Sequence, residues 1–283
     1  MGLLSGKEVA EALKEQLKKE VEGLKAKGIT PTLGIIRMGT EPGDLAYEKG
    51  AKKSAEEVGI AVNVFELPRE ALQNELIKTI QKVNGDKNVH GVLLFQPLPK
   101  QIDAFAARAA LDPSKDMDGI TDGSMAGIYS DSGKGYPPCT AESVIKILKH
   151  FKVELAGKNV VVLGRSTVIG KPVSMLLLKE NATVTVCHSK TKDLQKRTQE
   201  ADVVVVAMGR AWSVGKESFR AGQYVIDVGV NAKPNGEKGT CGDVRTEEVE
   251  SIVAGITPVP GGVGSVTNTN LLTHVVEAAK ATI

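Results

Sequence analysis

The chain has 283 residues, 41% hydrophobic and 25% charged, with a formal net charge of +2. That length accommodates one large or two ordinary domains, and the composition is that of an ordinary soluble globular protein. A charge so near balance, without any long Lys/Arg block, excludes an electrostatic nucleic-acid footprint and makes small-molecule chemistry the expectation. Cys139, Cys187 and Cys241 are widely separated and odd in number, with no C-x-x-C pair. Neither a metal site nor a disulfide frame is expected from them, and a reduced, cytoplasmic setting fits. The opening "MGLLSGKEVAEALKEQL" is an amphipathic helix broken early by charge, and no run approaches ~20 apolar residues, so no membrane association is expected.

From there apolar strand-like runs alternate with helix-period segments. "TLGIIRMG" (32–39), "IAVNVFEL" (60–67) and "HGVLLFQP" (90–97) are separated by helical stretches around 43–58 and 70–83, the βαβ pattern of a buried parallel sheet. A stretch rich in Gly, Asp, Ser and Pro (111–140) follows, then the helical run "AESVIKILKHF" (141–151). A second series, "NVVVLG" (159–164), "ATVTVC" (182–187), "DVVVVAMG" (202–209) and "YVIDVGV" (224–230), alternates with helices near 171–180, 191–200 and 216–221. The expected fold is α/β with two lobes. Residues 1–140 form the first, on which the closing helix 268–283 packs back; residues 141–267 form a Rossmann-like second lobe; two helices join them, and the cleft between lobes is the expected ligand site.

"VVVLGRSTVIGKP" (160–172) leaves a strand, passes through glycines and enters a helix. Its Gly-Lys ending imitates a phosphate-binding P-loop, but five residues rather than four separate Gly164 from Gly170, and Pro172 stands where Ser or Thr should hold magnesium. A dinucleotide site fits better, because glycines at a strand's carboxyl end let backbone N–H groups and a helix N-terminus approach a pyrophosphate. The next strand ends in His188, Ser189 and Lys190, with no carboxylate before Asp193. An acid there would bind the ribose hydroxyls of NAD; its absence, with Arg165 in the loop, favours the 2′-phosphate of NADP over NAD.

Seven motifs in order, "KDMDG" (115–119), "PPCT" (137–140), "GRSTVIGKP" (164–172), "ATVTVCHSKT" (182–191), "YVIDVGVN" (224–231), "GDV" (242–244) and "TPVPGGVGSVT" (257–267), cover nearly the whole length. With them the chain resembles the methylenetetrahydrofolate dehydrogenase/cyclohydrolase family. The resemblance implies a homodimer with an amino-terminal catalytic lobe, a carboxyl-terminal Rossmann lobe and a folate substrate, tetrahydrofolate being the one-carbon carrier. It implies that Gly164, Arg165, Ser166, Ser189 and Val230 touch the dinucleotide. It also implies that Tyr47 and Asp118 form the catalytic, folate-orienting pair, and that Pro260, Gly261 and Gly262 close over the substrate. Ser265 stands where most members have Pro.

One small site departs from the family. Most members carry Tyr-x-x-x-Lys on the first lobe's helix, and that lysine, with a glutamine on the third strand, serves the cyclohydrolase step. Four residues advance about 400° around a helix, so such a pair shares one face. Here the position four after Tyr47 is Ala51, while Lys49 and Lys52 project about 200° and about 140° away. On the strand, Phe95 takes the place of the glutamine, and Gln96, one residue on, points to the other face by the two-residue period. Asp44 replaces the usual serine three residues before the tyrosine. The expected function is therefore NADP-linked oxidation of 5,10-methylenetetrahydrofolate to 5,10-methenyltetrahydrofolate, with the cyclohydrolase activity lost or rerouted. Its rivals are a bifunctional enzyme in which Lys49, Lys52 or Gln96 rescues hydrolysis, and a non-catalytic folate or dinucleotide sensor.

Overall fold

Helix α1 (Gly6–Lys25) sets Leu17, Val21 and Leu24 on one stripe by their four- and three-residue spacing, and all three are buried. The computed structural model describes residues 2–283. The chain divides into two units: a first, Ala12–Cys139 with Asn268–Ile283, and a second, the residues up to Glu11 with Thr140–Thr267.

In the first unit, β1 (Thr32–Met38), α2 (Pro42–Glu57), β2 (Ala61–Leu67), α3 (Gln73–Gly85) and β3 (Gly91–Leu94) alternate. The strands form a parallel sheet in the order β2-β1-β3. Every residue of β1 and β3 is buried, as continuous apolar runs in a parallel sheet require. One sheet face packs Leu33, Ile35, Leu93 and Phe95 against Ala51, Ala55 and the last helix; the other packs Ile36, Met38, Val92 and Leu94 against α3. Full burial of such side chains contributes about 1.5–3 kcal/mol each.

Helix α4 (Ala104–Ala110) follows, and then α5 (Asp122–Ser130) arises inside the stretch rich in Gly, Asp, Ser and Pro. Its start is local chemistry: the Ser124 N–H donates to Thr121 Oγ1 at 3.1 Å, an N-cap that composition alone concealed. The third strand stops at Leu94 rather than running to 97, because Pro97 and Pro99 have no N–H for a ladder.

In the second unit, α6 (Cys139–His150) leads into β4 (Asn159–Leu163), α7 (Gly170–Lys179), β5 (Thr183–Cys187), α8 (Leu194–Glu200), β6 (Val203–Val206) and β7 (Tyr224–Asp227). A hairpin of β8 (Asn231–Ala232) and β9 (Thr240–Cys241), then α9 (Thr246–Val249), β10 (Gly255–Ile256) and α10 (Val263–Lys280), complete the chain. The five-stranded sheet is parallel in the order β10-β7-β6-β4-β5. The helix expected at 216–221 is only the 3₁₀ turn Lys216–Ser218, confined between Gly215 and Gly222.

The residues up to Glu11 belong with the second unit, not with the expected lobe 1–140. Leu4 N–H donates to Ile256 O at 2.8 Å and Gly6 N–H to Gly261 O at 2.9 Å, so this segment extends the sheet beyond β10. A side chain at Gly6 would stand 1.9 Å from Gly262 O, which is why only glycine fits.

Candidate functional site

The second unit builds its groove at the carboxyl ends of β4, β6 and β7, where an open parallel sheet binds its ligand. Gly164 follows β4 with φ +127°, and its N–H donates to Cys187 O at 2.9 Å. A Cβ there would lie 2.3 Å from Ala207 O, and one on Gly170 would lie 2.3 Å from Gly164 O. The loop is thus packed backbone against backbone before α7 begins. Ser166 Oγ accepts the Ile169 N–H at 3.1 Å and the Gly170 N–H at 3.4 Å, and Ser166 O accepts the Lys171 N–H at 2.9 Å, which ties the turn to the first residues of α7.

Two cavities adjoin this loop. One, of about 400 Å³, is lined by Gly164, Arg165, Ser166, His188, Ser189 and Arg210 among others. The other, of about 500 Å³, shares Ser166, Ala207 and Met208 with it and continues to Gly229 and Val230. The five residues expected to touch the dinucleotide are therefore gathered along one groove. Val230 is 65% exposed there. Lys190 does not line it; the second cation beside Arg165 is Arg210, which no motif had singled out. The glycine loop and the two arginines fit a phosphorylated dinucleotide.

Two buried carboxylates hold the groove's wall. Asp243, fully buried, accepts the N–H groups of Met208 (2.6 Å), Gly209 (3.0 Å) and Arg210 (2.7 Å) and the side-chain amide of Asn231 (2.9 Å). Asp227 accepts from Gly229, Asp243 and Val244, and burial pushes its carboxyl up to about 7 against the pull of those three N–H groups. Both acids fall inside sequence motifs, "YVIDVGVN" and "GDV", and carry no expected role there; the signal for Asp227 is its place as the one acid ending the apolar β7. Asp243→Asn keeps one accepting oxygen and turns an NH₂ toward two donors, a cost of about 2–6 kcal/mol. We expect a lower melting temperature and weaker dinucleotide binding, measured by thermal unfolding and calorimetric titration.

Pro260, Gly261 and Gly262 also lie in the second unit, lining a cavity of about 220 Å³ with Asp227 and Val228. Gly261 has φ +103° and follows a cis Val259–Pro260 peptide. The other residues expected to bind substrate, Tyr47 and Asp118, belong to the first unit.

There Tyr47, on α2, is 42% exposed and meets the Phe95 ring edge-on at 5.5 Å between centroids. Burial raises its phenol to about 12, and Asp118 and Cys139 add to the shift. Burial, then Asp116, pushes the Asp118 carboxyl up to about 6, while hydrogen bonds from Cys139 and the nearby His274 oppose the rise. Asp116 is spent on structure, accepting from Ile120 N, Thr121 N and Ser124 Oγ. His274, 1% exposed, lies 2.7 Å from Met117 O through Nδ1, and Asn270 donates to Cys139 O at 3.1 Å, so α10 fixes both flanks of Asp118. Among the described residues no cluster of metal ligands exists.

The departure on α2 is resolved side chain by side chain. Ala51 (3% exposed) and Phe95 (8%) belong to one apolar core cluster. Gln96 is exposed and lies beyond the end of β3. Lys52 donates to Glu48 Oε1 at 2.6 Å, and Glu48 Oε2 in turn accepts from the buried Arg37 Nε at 2.8 Å. Lys49 and Lys53 are exposed. No lysine of α2 shares the Tyr47 and Phe95 face.

A parallel sheet with a glycine loop and a cationic groove, joined in one chain to a second α/β unit carrying an aromatic and a raised carboxyl, defines a two-domain NAD(P)-binding enzyme. Residues 4–118 match the profile of the tetrahydrofolate dehydrogenase/cyclohydrolase catalytic domain, and 138–283 that of the family's NAD(P)-binding domain. The chain belongs to the tetrahydrofolate dehydrogenase/cyclohydrolase family. It is 49% identical to the bifunctional protein FolD of Carboxydothermus hydrogenoformans, over 98% of this chain and 96% of that one. The crystal structure of the bifunctional enzyme FolD from Campylobacter jejuni superposes with a TM-score of 0.95 at 39% identity, covering 100% of both chains. The Trypanosoma brucei dehydrogenase-cyclohydrolase complexed with NADP cofactor and inhibitor gives 0.90 at 35% identity, covering 99% of this chain and 97% of that one. Among the described residues no helix is long and apolar enough to cross a membrane.

Proposed function

We propose that this chain oxidises 5,10-methylenetetrahydrofolate to 5,10-methenyltetrahydrofolate with NADP and does not hydrolyse the product. The carrying observation is the apolar pair Ala51 and Phe95, both buried beside Tyr47 where a proton-transferring lysine and its glutamine would stand. NADP, when bound, accepts a hydride from the folate methylene carbon, and the remaining cation is stabilised by its own resonance. The protein has only to orient donor and acceptor for that step. Tyr47 and Asp118 orient the folate, while Gly164, Arg165, Ser166, Ser189 and Val230 hold the dinucleotide, with Pro260, Gly261 and Gly262 closing on the reacting rings. The two arginines of the groove and the lack of an acid before Asp193 support NADP over NAD, as does the NADP complex of the Trypanosoma brucei relative.

Hydrolysis needs more: water must attack the cation and lose a proton, and the adduct must open, which calls for a positioned acid/base. A bifunctional enzyme is the second reading, favoured by Asp118, whose carboxyl at about 6 can exchange a proton near neutrality. We place the enzyme in the reduced cytoplasm, in keeping with its three free cysteines. We propose a homodimer formed along β5, an edge strand that leaves Val186 40% exposed beside a 49% exposed Leu178.

The test adds methylenetetrahydrofolate and NADP to purified protein in a buffer where spontaneous hydrolysis is slow, and follows methenyl and NADPH absorbance together. We expect the two to rise in step. NADPH with enzyme-dependent methenyl decay would establish a substitute base; no NADPH would exclude the dehydrogenase and favour a binding protein.

A further inference from the structure

The first unit carries a cavity at the opposite end of β3 from Phe95. His90 precedes β3 and Phe95 follows it, so five steps of extended chain, about 16 Å, separate the two ends. The cavity measures about 480 Å³, and its lining includes Lys87, His90, Lys115, Tyr136 and Ala278.

Its polar groups are donors with capacity to spare. His90 Nδ1 accepts the Thr32 N–H at 3.1 Å, and burial with the nearby Lys115 lowers the imidazole pKa. The ring is therefore neutral with its proton on Nε2, and that N–H has no partner among the described residues. Lys87 is exposed and likewise unpaired. Lys115 Nζ donates to Val83 O (2.9 Å) and Asp86 O (2.6 Å), which anchors the ammonium at the end of α3 and leaves its third proton unused. Asp86 and Asp112 lie near Lys115. The Asp112 carboxylate accepts from Ser114 N and Oγ, and that of Asp86 from Asn88 N, and neither aspartate is part of the cavity lining. The Tyr136 ring, stacked on His274 at 4.9 Å, and the small side chain of Ala278 add a planar and apolar wall.

We propose that this cavity binds a phosphate monoester, its dianionic head on Lys87, Lys115 and His90 Nε2–H and its carbon skeleton on Tyr136 and Ala278. Donors from three separate places in the chain line one cavity, a number that suits a dianionic head with three free oxygens. The site faces away from Phe95 but touches its supports, since Tyr136 rests on His274, which bonds the Met117 carbonyl next to Asp118.

The experiment uses NADP-saturated protein, so that the dinucleotide groove is filled, and titrates phenyl phosphate while following the Thr32 and Lys87 amides by NMR. A saturable shift of both is expected. Lys87→Gln and His90→Gln should each weaken binding about ten-fold, and Lys100→Gln, an exposed lysine outside the cavity, should leave it unchanged. Because Lys87 is exposed and unpaired, its variant keeps the fold even if His90→Gln does not. Shifts that fail to saturate, equal affinity in Lys87→Gln, or loss in Lys100→Gln would overturn the site. Inorganic phosphate binding as tightly as phenyl phosphate would overturn the assignment to a monoester.

Discussion

A Gly164→Ala variant is expected to lose dinucleotide binding about 100-fold or more, with a lower melting temperature. Gly164 combines φ +127° with a Cβ position 2.3 Å from Ala207 O, so strain and collision fall on the same residue. The colliding atom is backbone at the end of β6 and has no rotamer to escape through. Relief would require β4 and β6 to separate at their carboxyl ends, where Ala207 and Met208 line both cavities. The fitting comparison is Gly43→Ala, whose Cβ meets nothing within 4 Å on α2 and which should bind NADP normally. Calorimetric titration with NADP reads both variants. Parent-like affinity in Gly164→Ala would remove this loop from the cofactor site.

The second large effect is a gain. Ala51→Lys with Phe95→Gln is expected to produce enzyme-dependent hydrolysis of methenyltetrahydrofolate, with NADPH formation retained. Ala51 lies one turn after Tyr47 on the same face, and Phe95 is the ring Tyr47 touches. A lysine alone would enter an apolar cluster with no partner, at a cost of several kcal/mol, and its amine pKa would fall. Shortening Phe95 to glutamine opens room and supplies a hydrogen-bond acceptor, so the pair should hydrolyse faster than Ala51→Lys alone. The measurement is methenyl decay for parent, both single variants and the double variant. Hydrolysis by the parent equal to that of the double variant would sink the proposal that Ala51 and Phe95 silence the second activity. A double variant that oxidises but never hydrolyses would show that a Lys/Gln pair is insufficient in this setting.

Much was legible in the residue order because it depends on local pattern. Continuous apolar runs such as "VVVV" separated by helix-period segments dictate parallel sheets, since only strands covered on both faces tolerate them. The glycine loop could be recognised because Gly164 and Gly170 occupy places where a side chain meets backbone, and that constraint is written into the residues themselves. Ala51 and Phe95 were visible as departures from the pattern that the family resemblance implies, and they share one buried cluster.

What only the tertiary structure decided involves groups distant in the chain. The residues up to Glu11 join the second unit because their N–H groups find the carbonyls of Ile256 and Gly261, some 250 residues later, and no local pattern encodes that pairing. Arg210 rather than Lys190 faces the groove because Asp243, 33 residues on, seizes the Arg210 N–H. Lys52 is turned from Tyr47 by Glu48, which is itself held by Arg37 on a neighbouring strand. A carboxylate chooses its donors by proximity in space, and burial makes each choice costly to reverse.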